Sequence, residues 1–213
     1  MLVSAICLFT PLPSAAAGWS VEGFLGTSHN ADSTLTVHQE GQPDIQLKAS
    51  WDTRPLSNAP YYALRLTQWW DHWGMQLGLL HNKIYLNNPT AEIEKFEITF
   101  GYNLVSLGPA WRSGGWSLFA GVGPAITNPS SIIRGQEQPH SGGFLDTGYH
   151  LDGVHAQAGV NRRFPISDNI FFSADLRLSA AWANVPVVNG DADVPNYAAH
   201  LLLGIGWGAA RSR

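Results

Sequence analysis

The sequence has a single cysteine, Cys7, and two methionines in 213 residues. That thiol falls within residues 1–17, so the chain beyond them has no disulfide framework. Charge is also scarce. Asp, Glu, Lys and Arg make up 13%, the net charge is −4, and no basic cluster occurs, which excludes nucleic acid as a partner. No apolar run approaches the roughly 18 to 20 residues of a transmembrane helix, so a helical membrane protein is excluded. The chain contains no GxSxG elbow, no HExxH, no glycine-rich phosphate loop and no solenoid repeat, and no Pro/Gly/Ser-rich linker divides it.

What remains is greasy on alternate residues. The chain is 45% hydrophobic, with nine Trp and 22 Gly. Residues 1–17, MLVSAICLFTPLPSAAA, have an apolar centre followed by a small-residue cleavage site. They read as an export signal, leaving 18–213 as one domain. In 60–86, PYYALRLTQWWDHWGMQLGLLHNKIYL, two runs of about ten residues flank Asp71-His72, the length of a tilted strand crossing a hydrocarbon layer. Tyr62, Leu64, Leu66 and Trp70 share one face, and Tyr61, Ala63, Arg65, Thr67 and Trp69 the other. This is a membrane hairpin whose turn carries an aromatic belt.

Taken in order, eight alternating segments emerge. Strand one runs from Trp19 to about Thr27, with Trp19, Val21 and Leu25 on one face, and a long loop over 28–59 follows. The hairpin supplies strands two and three. Strand four, 94–112, sets Phe96, Ile98, Phe100, Tyr102 and Leu104 against Glu97, Thr99, Gly101 and Asn103. Strand five runs from Trp116 to about Thr127, and strand six over 149–164. The seventh sets Phe172, Ala174, Leu176, Leu178 and Trp182 against Ser173, Asp175, Arg177 and Ser179. The eighth begins at Tyr197, after a loop over 184–196. Connections alternate short and long, as in an eight-stranded antiparallel up-and-down transmembrane β-barrel with short periplasmic turns and long extracellular loops. An even strand count puts both termini in the periplasm, where Trp19, Trp69, Trp70, Trp73, Trp111, Trp116, Phe164, Phe171 and Trp207 form a girdle. Outer-membrane residence in a Gram-negative bacterium follows, and a monomer is expected. A lipocalin-like soluble barrel is the competing fold, with its apolar face inside.

Eight strands leave a lumen that side chains fill, so an open pore is disfavoured. Arg65, Glu97, Asp175, Arg177, His155 and His200 read as an interior network of paired charges. On the third strand His81, Lys83 and Tyr85 continue the lipid-facing parity of Trp73, Met75, Leu77 and Leu79 to outer-leaflet headgroup height. There a lysine snorkels or meets the phosphorylated sugars of lipopolysaccharide. Tyr61 and Tyr62 stand beside them as substrate-binding candidates. His29, Asp32, His38, Asp52, His140 and Asp146 lie in loops where imidazole and carboxylate groups can ligate a divalent metal or move protons, though at no tight ligand spacing. His29 and Asp32 are the candidate metal ligands.

The runs Ala49-Ser50-Trp51-Asp52, Asn58-Ala59-Pro60-Tyr61-Tyr62-Ala63-Leu64-Arg65, Trp73-Gly74 and Leu80-His81-Asn82-Lys83-Ile84-Tyr85 resemble the lipid A oxidase family of outer-membrane barrels. Gly101-Tyr102-Asn103, Ala110-Trp111-Arg112 and Gly121-Val122-Gly123 continue the likeness, which covers roughly residues 29–126. The resemblance implies oxygen-dependent oxidation of the proximal glucosamine of lipid A to an aminogluconate unit. It implies His81, Lys83, Tyr85 and Arg65 as catalytic positions and, more loosely, His29. Arg65 and Lys83 would orient phosphate or sugar oxygens and His81 would transfer protons. A non-enzymatic small barrel serving structure, adhesion or envelope integrity is the alternative, because one fold serves both. A small channel is the third.

Overall fold

The computed structural model describes residues 18–57, 59–138 and 142–208; the export signal expected over 1–17, Asn58 and His140 lie outside them. The strands are β1 (Gly18–Asn30), β2 (Ser33–Gln39), β3 (Ile45–Ala49), β4 (Trp51–Asp52), β5 (Tyr62–Trp70), β6 (Trp73–Leu86), β7 (Ile93–Ser113), β8 (Trp116–Ile133), β9 (Gln136–Gln138), β10 (His150–Pro165), β11 (Ile170–Val187) and β12 (Gly190–Gly208). Eight of them, β1, β5, β6, β7, β8, β10, β11 and β12, form an antiparallel ring that closes where β1 pairs β12. The expected barrel is therefore present. Among the described residues no helix is long and apolar enough to cross a membrane; the crossing is made by strands.

The outward side chains mark the bilayer. Val21, Leu25, Leu64, Met75, Leu77, Leu107, Leu118, Val122, Leu176, Leu178, Leu201, Leu203 and Ile205 are all exposed, an arrangement that only a hydrocarbon solvent makes favourable. Ten residues separate Phe172 from Trp182 on β11 and Tyr197 from Trp207 on β12. At about 3.3 Å per residue and a tilt of about 40°, that is about 25 Å, the height of an outer-membrane apolar band. Trp19, Trp70, Trp73, Trp111, Trp116, Phe164 and Trp207 ring the end that carries the short turns. Trp69 and Phe171 do not join them. Both point inward, at 2% and 0% exposure, because each sits one residue out of phase with the lipid-facing series of its strand.

Above the upper aromatic residues the wall continues and its polarity inverts. The ring strands run on past the membrane, and the hairpin of β2 and β3 pairs with β12 through Gln39↔Gly190 and Thr36↔Asp193. Here Leu35, Val37, Ile45, Ile93, Phe96, Ile98, Ile133, Val185, Val187, Ala192 and Val194 pack inside as one buried cluster. Glu94, Lys48, Asp44 and Asp193 face water. On β7, then, Phe96, Ile98, Tyr102 and Leu104 line the interior rather than the lipid. Phe100 alone is turned out, by an irregularity between Ile98 and Tyr102 that contains Gly101 at φ 126°, a conformation open chiefly to glycine. The loop expected over 184–196 is strand, closed by the tight turn at Val188-Asn189. The loop expected over 28–59 contains β2, β3 and β4.

The lower lumen holds charge. Glu22 accepts from Arg163 at 2.7 Å and from Ser173 at 2.8 Å and lies 3.6 Å from Arg65; Arg65 pairs with Asp175, which also accepts from Arg177 at 2.7 Å. All five charged residues are at most 4% exposed. Glu97 is not among them; it lies on the outer face and pairs with Lys95 at 2.9 Å. Its expected place is taken by Glu22. Removing one member of a buried pair strands its partner in low dielectric, at a cost of about 3–5 kcal/mol. Glu22→Leu should therefore lower stability by about that much in cooperative urea unfolding from lipid vesicles, and Glu22→Leu with Arg163→Met should recover part of the loss.

In the tower, His38 on β2 has Nδ1 2.9 Å from Asp44 and Nε2 3.6 Å from Asp193. The hydrogen bond to Asp44 raises its pKa, with the charges of Asp44 and Asp191 adding to it. A raised folded-state value places the stabilisation fully below the ordinary value of about 6.5 and loses it as pH rises through the folded value. Amide exchange across 35–47 should be slower at about pH 5.5 than at about pH 8.5, beyond the intrinsic effect of pH, and His38→Gln should remove that difference.

Candidate functional site

The wall has a window at outer-leaflet height. β1 stays paired to β5 only as far as Leu25↔Tyr62, and β6 leaves β5 at His81↔Tyr62 before meeting β4 at Tyr85↔Asp52. Between them residues 26–30 of β1 and 82–84 of β6 have no strand to bridge them. Backbone groups left in a bilayer without partners are costly, and residues 53–57 and 59–61 occupy the gap in irregular conformation. Arg54 and Ala59 take positive φ, 47° and 58°.

The segment weaves through the plane of the wall. On the inside, Thr53 Oγ1 lies 2.7 Å from both Ser28 Oγ and Asn30 Nδ2. Asn196 Nδ2 donates to Asn30 Oδ1 at 3.0 Å, and Asn82 Nδ2 donates to Asn196 Oδ1 at 3.0 Å. This amide plug closes the window toward the lumen. Tyr61 also points inward, its hydroxyl 2.5 Å from His200 Nδ1, while Ser179 Oγ lies 2.7 Å from the other ring nitrogen.

Outside, Lys83 holds the segment like a strap. Its ammonium donates to Ser57 O at 2.6 Å, Ser57 Oγ at 2.9 Å, Ala59 O at 3.1 Å and Arg54 O at 3.3 Å, and the residue is completely buried. An ammonium has three donors, and all are engaged. Tyr85 Oη lies 2.9 Å from Ser57 Oγ, and the Arg54 guanidinium stacks on the Tyr85 ring at 4.4 Å while pairing with Asp52 at 3.1 Å. His81 lies under Tyr62, ring to ring at 4.8 Å and 14°, and donates from Nδ1 to Asn103 Oδ1 at 2.8 Å. Its Nε2 is buried and has no hydrogen-bond partner among the described residues.

The expected site residues are thus divided by the wall. Tyr62, His81, Lys83 and Tyr85 share the outer face at the expected height, under or against the strap. Tyr61 and Arg65 are on the inner face, and Arg65 belongs to the ion network, so they cannot act on a lipid beside the others. His29 and Asp32 are exposed, and among the described residues no group of three metal-capable side chains occurs; these residues do not fit a metal centre. The sequence did not single out Asn103, or the plug of Asn30, Asn82 and Asn196, as part of a site, although strand parity already placed Asn82 inward. Lys83→Met would leave the strap carbonyls unmet, at about 1–3 kcal/mol. The Ser57 and Tyr61 amides, bonded to Arg54 O at 3.1 Å and Pro55 O at 2.9 Å, should then exchange at least about tenfold faster.

No family model matches the chain, and no curated protein matches its sequence. Among solved structures, OprG of Pseudomonas aeruginosa aligns over 91% of this chain and 96% of its own at 13% identity, with a TM-score of 0.50. AlkL aligns over 96% of both chains at 10% identity and a TM-score of 0.48. Ail of Yersinia pestis aligns over 90% of this chain and 98% of its own at 15% identity and a TM-score of 0.44. The likeness to OprG, together with the lipid belt, gives this chain the fold of a small outer-membrane β-barrel.

Proposed function

We propose that the protein is a non-enzymatic barrel of the Gram-negative outer membrane that raises a rigid tower above the bilayer, in adhesion or envelope integrity, with lipopolysaccharide around its wall. The observation that carries this reading is the saturation of Lys83 by strap oxygens. A lysine so engaged has no donor left for a sugar or phosphate. The filled lumen supports the same reading over conduction.

Lipid A oxidation, implied by the sequence resemblance, is the second reading. One feature favours it: the buried, unpartnered His81 Nε2 beside Tyr62 at outer-leaflet height, a lone pair of the kind a proton-transfer group needs.

Mass spectrometry of lipid A from aerobically grown cells with and without the gene separates the two. The first reading expects identical lipid A, together with weaker adherence or greater detergent sensitivity in the deletion strain. An aminogluconate-bearing species that appears only with the gene, and disappears in His81→Ala at equal barrel abundance, would replace it with the second.

A further inference from the structure

A furrow of about 630 Å³ crosses the outer surface where the lipid belt gives way to the tower, spanning β10, β11, β12 and β2. Two rows of side chains, fixed by register, run along it. Trp182 pairs with Val154 on one side and Pro195 on the other, making an apolar lower row. Asp193 pairs with Asn184 and with Thr36, making a polar upper row. Directly paired residues project to the same face of a sheet, so each row is continuous and lies across the strands.

The furrow is built rather than incidental. Trp182 is 50% exposed and is braced edge to face by Tyr197 at 5.9 Å and 86°. Asn184 Nδ2 donates to Asp193 Oδ1 at 2.9 Å, and His38 approaches Asp193 Oδ2 at 3.6 Å from the tower side. Asp152 closes the β10 end, and burial pushes its carboxyl up to about 6. Among the described residues no Lys or Arg lines the furrow.

We infer that this furrow binds an unphosphorylated sugar ring of an outer-leaflet glycolipid. A pyranose has an apolar C–H face and an edge of hydroxyls. The Trp182 row suits the first; the upper row suits the second with the Asp193 and Asn184 oxygens as acceptors and the Thr36 hydroxyl as donor, since Asn184 Nδ2 already donates to Asp191 at 2.7 Å and to Asp193. Asp152 and Asp193, with only the His38 imidazole near the latter and neither Lys nor Arg in the lining, would repel a phosphate. The position selects the source: Trp182 ends the ten-residue lipid span of β11, so the headgroups of the protein's own membrane reach the furrow first. The inference stands whether the barrel is adhesive or catalytic.

The test uses the full barrel in phosphatidylcholine nanodiscs, titrated with deacylated and dephosphorylated lipopolysaccharide core oligosaccharide. The readout is the indole N–H resonance of Trp182, assigned through Trp182→Phe. A saturable shift in the low-millimolar range is expected. Thr36→Val, an outward change on the tower read at the Trp182 indole, should weaken it about threefold or more, and Trp182→Ala, read at the backbone amides of Thr36 and Asp193, about tenfold, each checked for folding by heat-modifiable gel mobility. Nanodiscs containing lipopolysaccharide should hold the resonance at its shifted position, with no further response to added oligosaccharide. No shift up to about 20 mM, unchanged binding in both variants, or binding only when phosphates are present would overturn the inference. A response to free oligosaccharide that bilayer lipopolysaccharide does not reproduce would overturn its assignment to the membrane.

Discussion

The Arg65–Asp175 pair is the contact around which the lower barrel is arranged. It ties β5 to β11 across the lumen, and Glu22 of β1 and Arg163 of β10 extend it to two more strands. Three guanidiniums share two carboxylates, so one positive charge has no carboxylate of its own. Aromatic faces take up the excess: Arg65 lies over Phe24 at 4.9 Å and Phe119 at 4.5 Å, and Arg163 over Phe171 at 4.5 Å. Desolvated cations gain from the ring quadrupole. The inward turn of Phe171 therefore belongs to this charge balance rather than to the membrane interface.

A second constraint organises the upper half. In the bilayer the strands carry apolar groups outward; above it, where the solvent is water, the same strands carry them inward. The switch needs no new element on β11, where Leu176 and Leu178 face lipid and Val185 and Val187 face the lumen. Pro186 and Asn184 then occupy the outer face. On β7 the switch coincides with the bulge at Gly101. The window in the wall sits at the same level, which is why its plug is made of amides and its strap of carbonyls gathered by one lysine.

Much of this was legible in the sequence. Strand parity put Leu64 and Arg65 on opposite faces, and the expected hairpin of 60–86 became β5 and β6. Parity cannot say which side is wet, however, so the alternation on β7 read as well for lipid as for lumen. The network was half found: Arg65, Asp175 and Arg177 were expected, but His155 and His200, expected with them, bond instead to Pro124 O and to Tyr61 and Ser179, and Glu22 and Arg163 were missed although Glu22 shares the luminal parity of Phe24. The site was legible only as a position. His81, Lys83 and Tyr85 are at the expected height and face, yet Lys83 bonds mostly to backbone oxygens of an irregular segment. Backbone acceptors have no residue signature, and nothing in the letters of 53–61 announces that this segment repairs a wall.

The tower has a mechanical meaning. From Tyr197 to Gly190 the chain climbs seven residues as continuous strand, about 18 Å above the bilayer at the usual rise and tilt. A flexible loop of that length would sample a range of heights and lie down among surface sugars. A packed extension of the barrel does not. The tip is a fixed standoff, so whatever touches it meets the cell at one distance and one orientation.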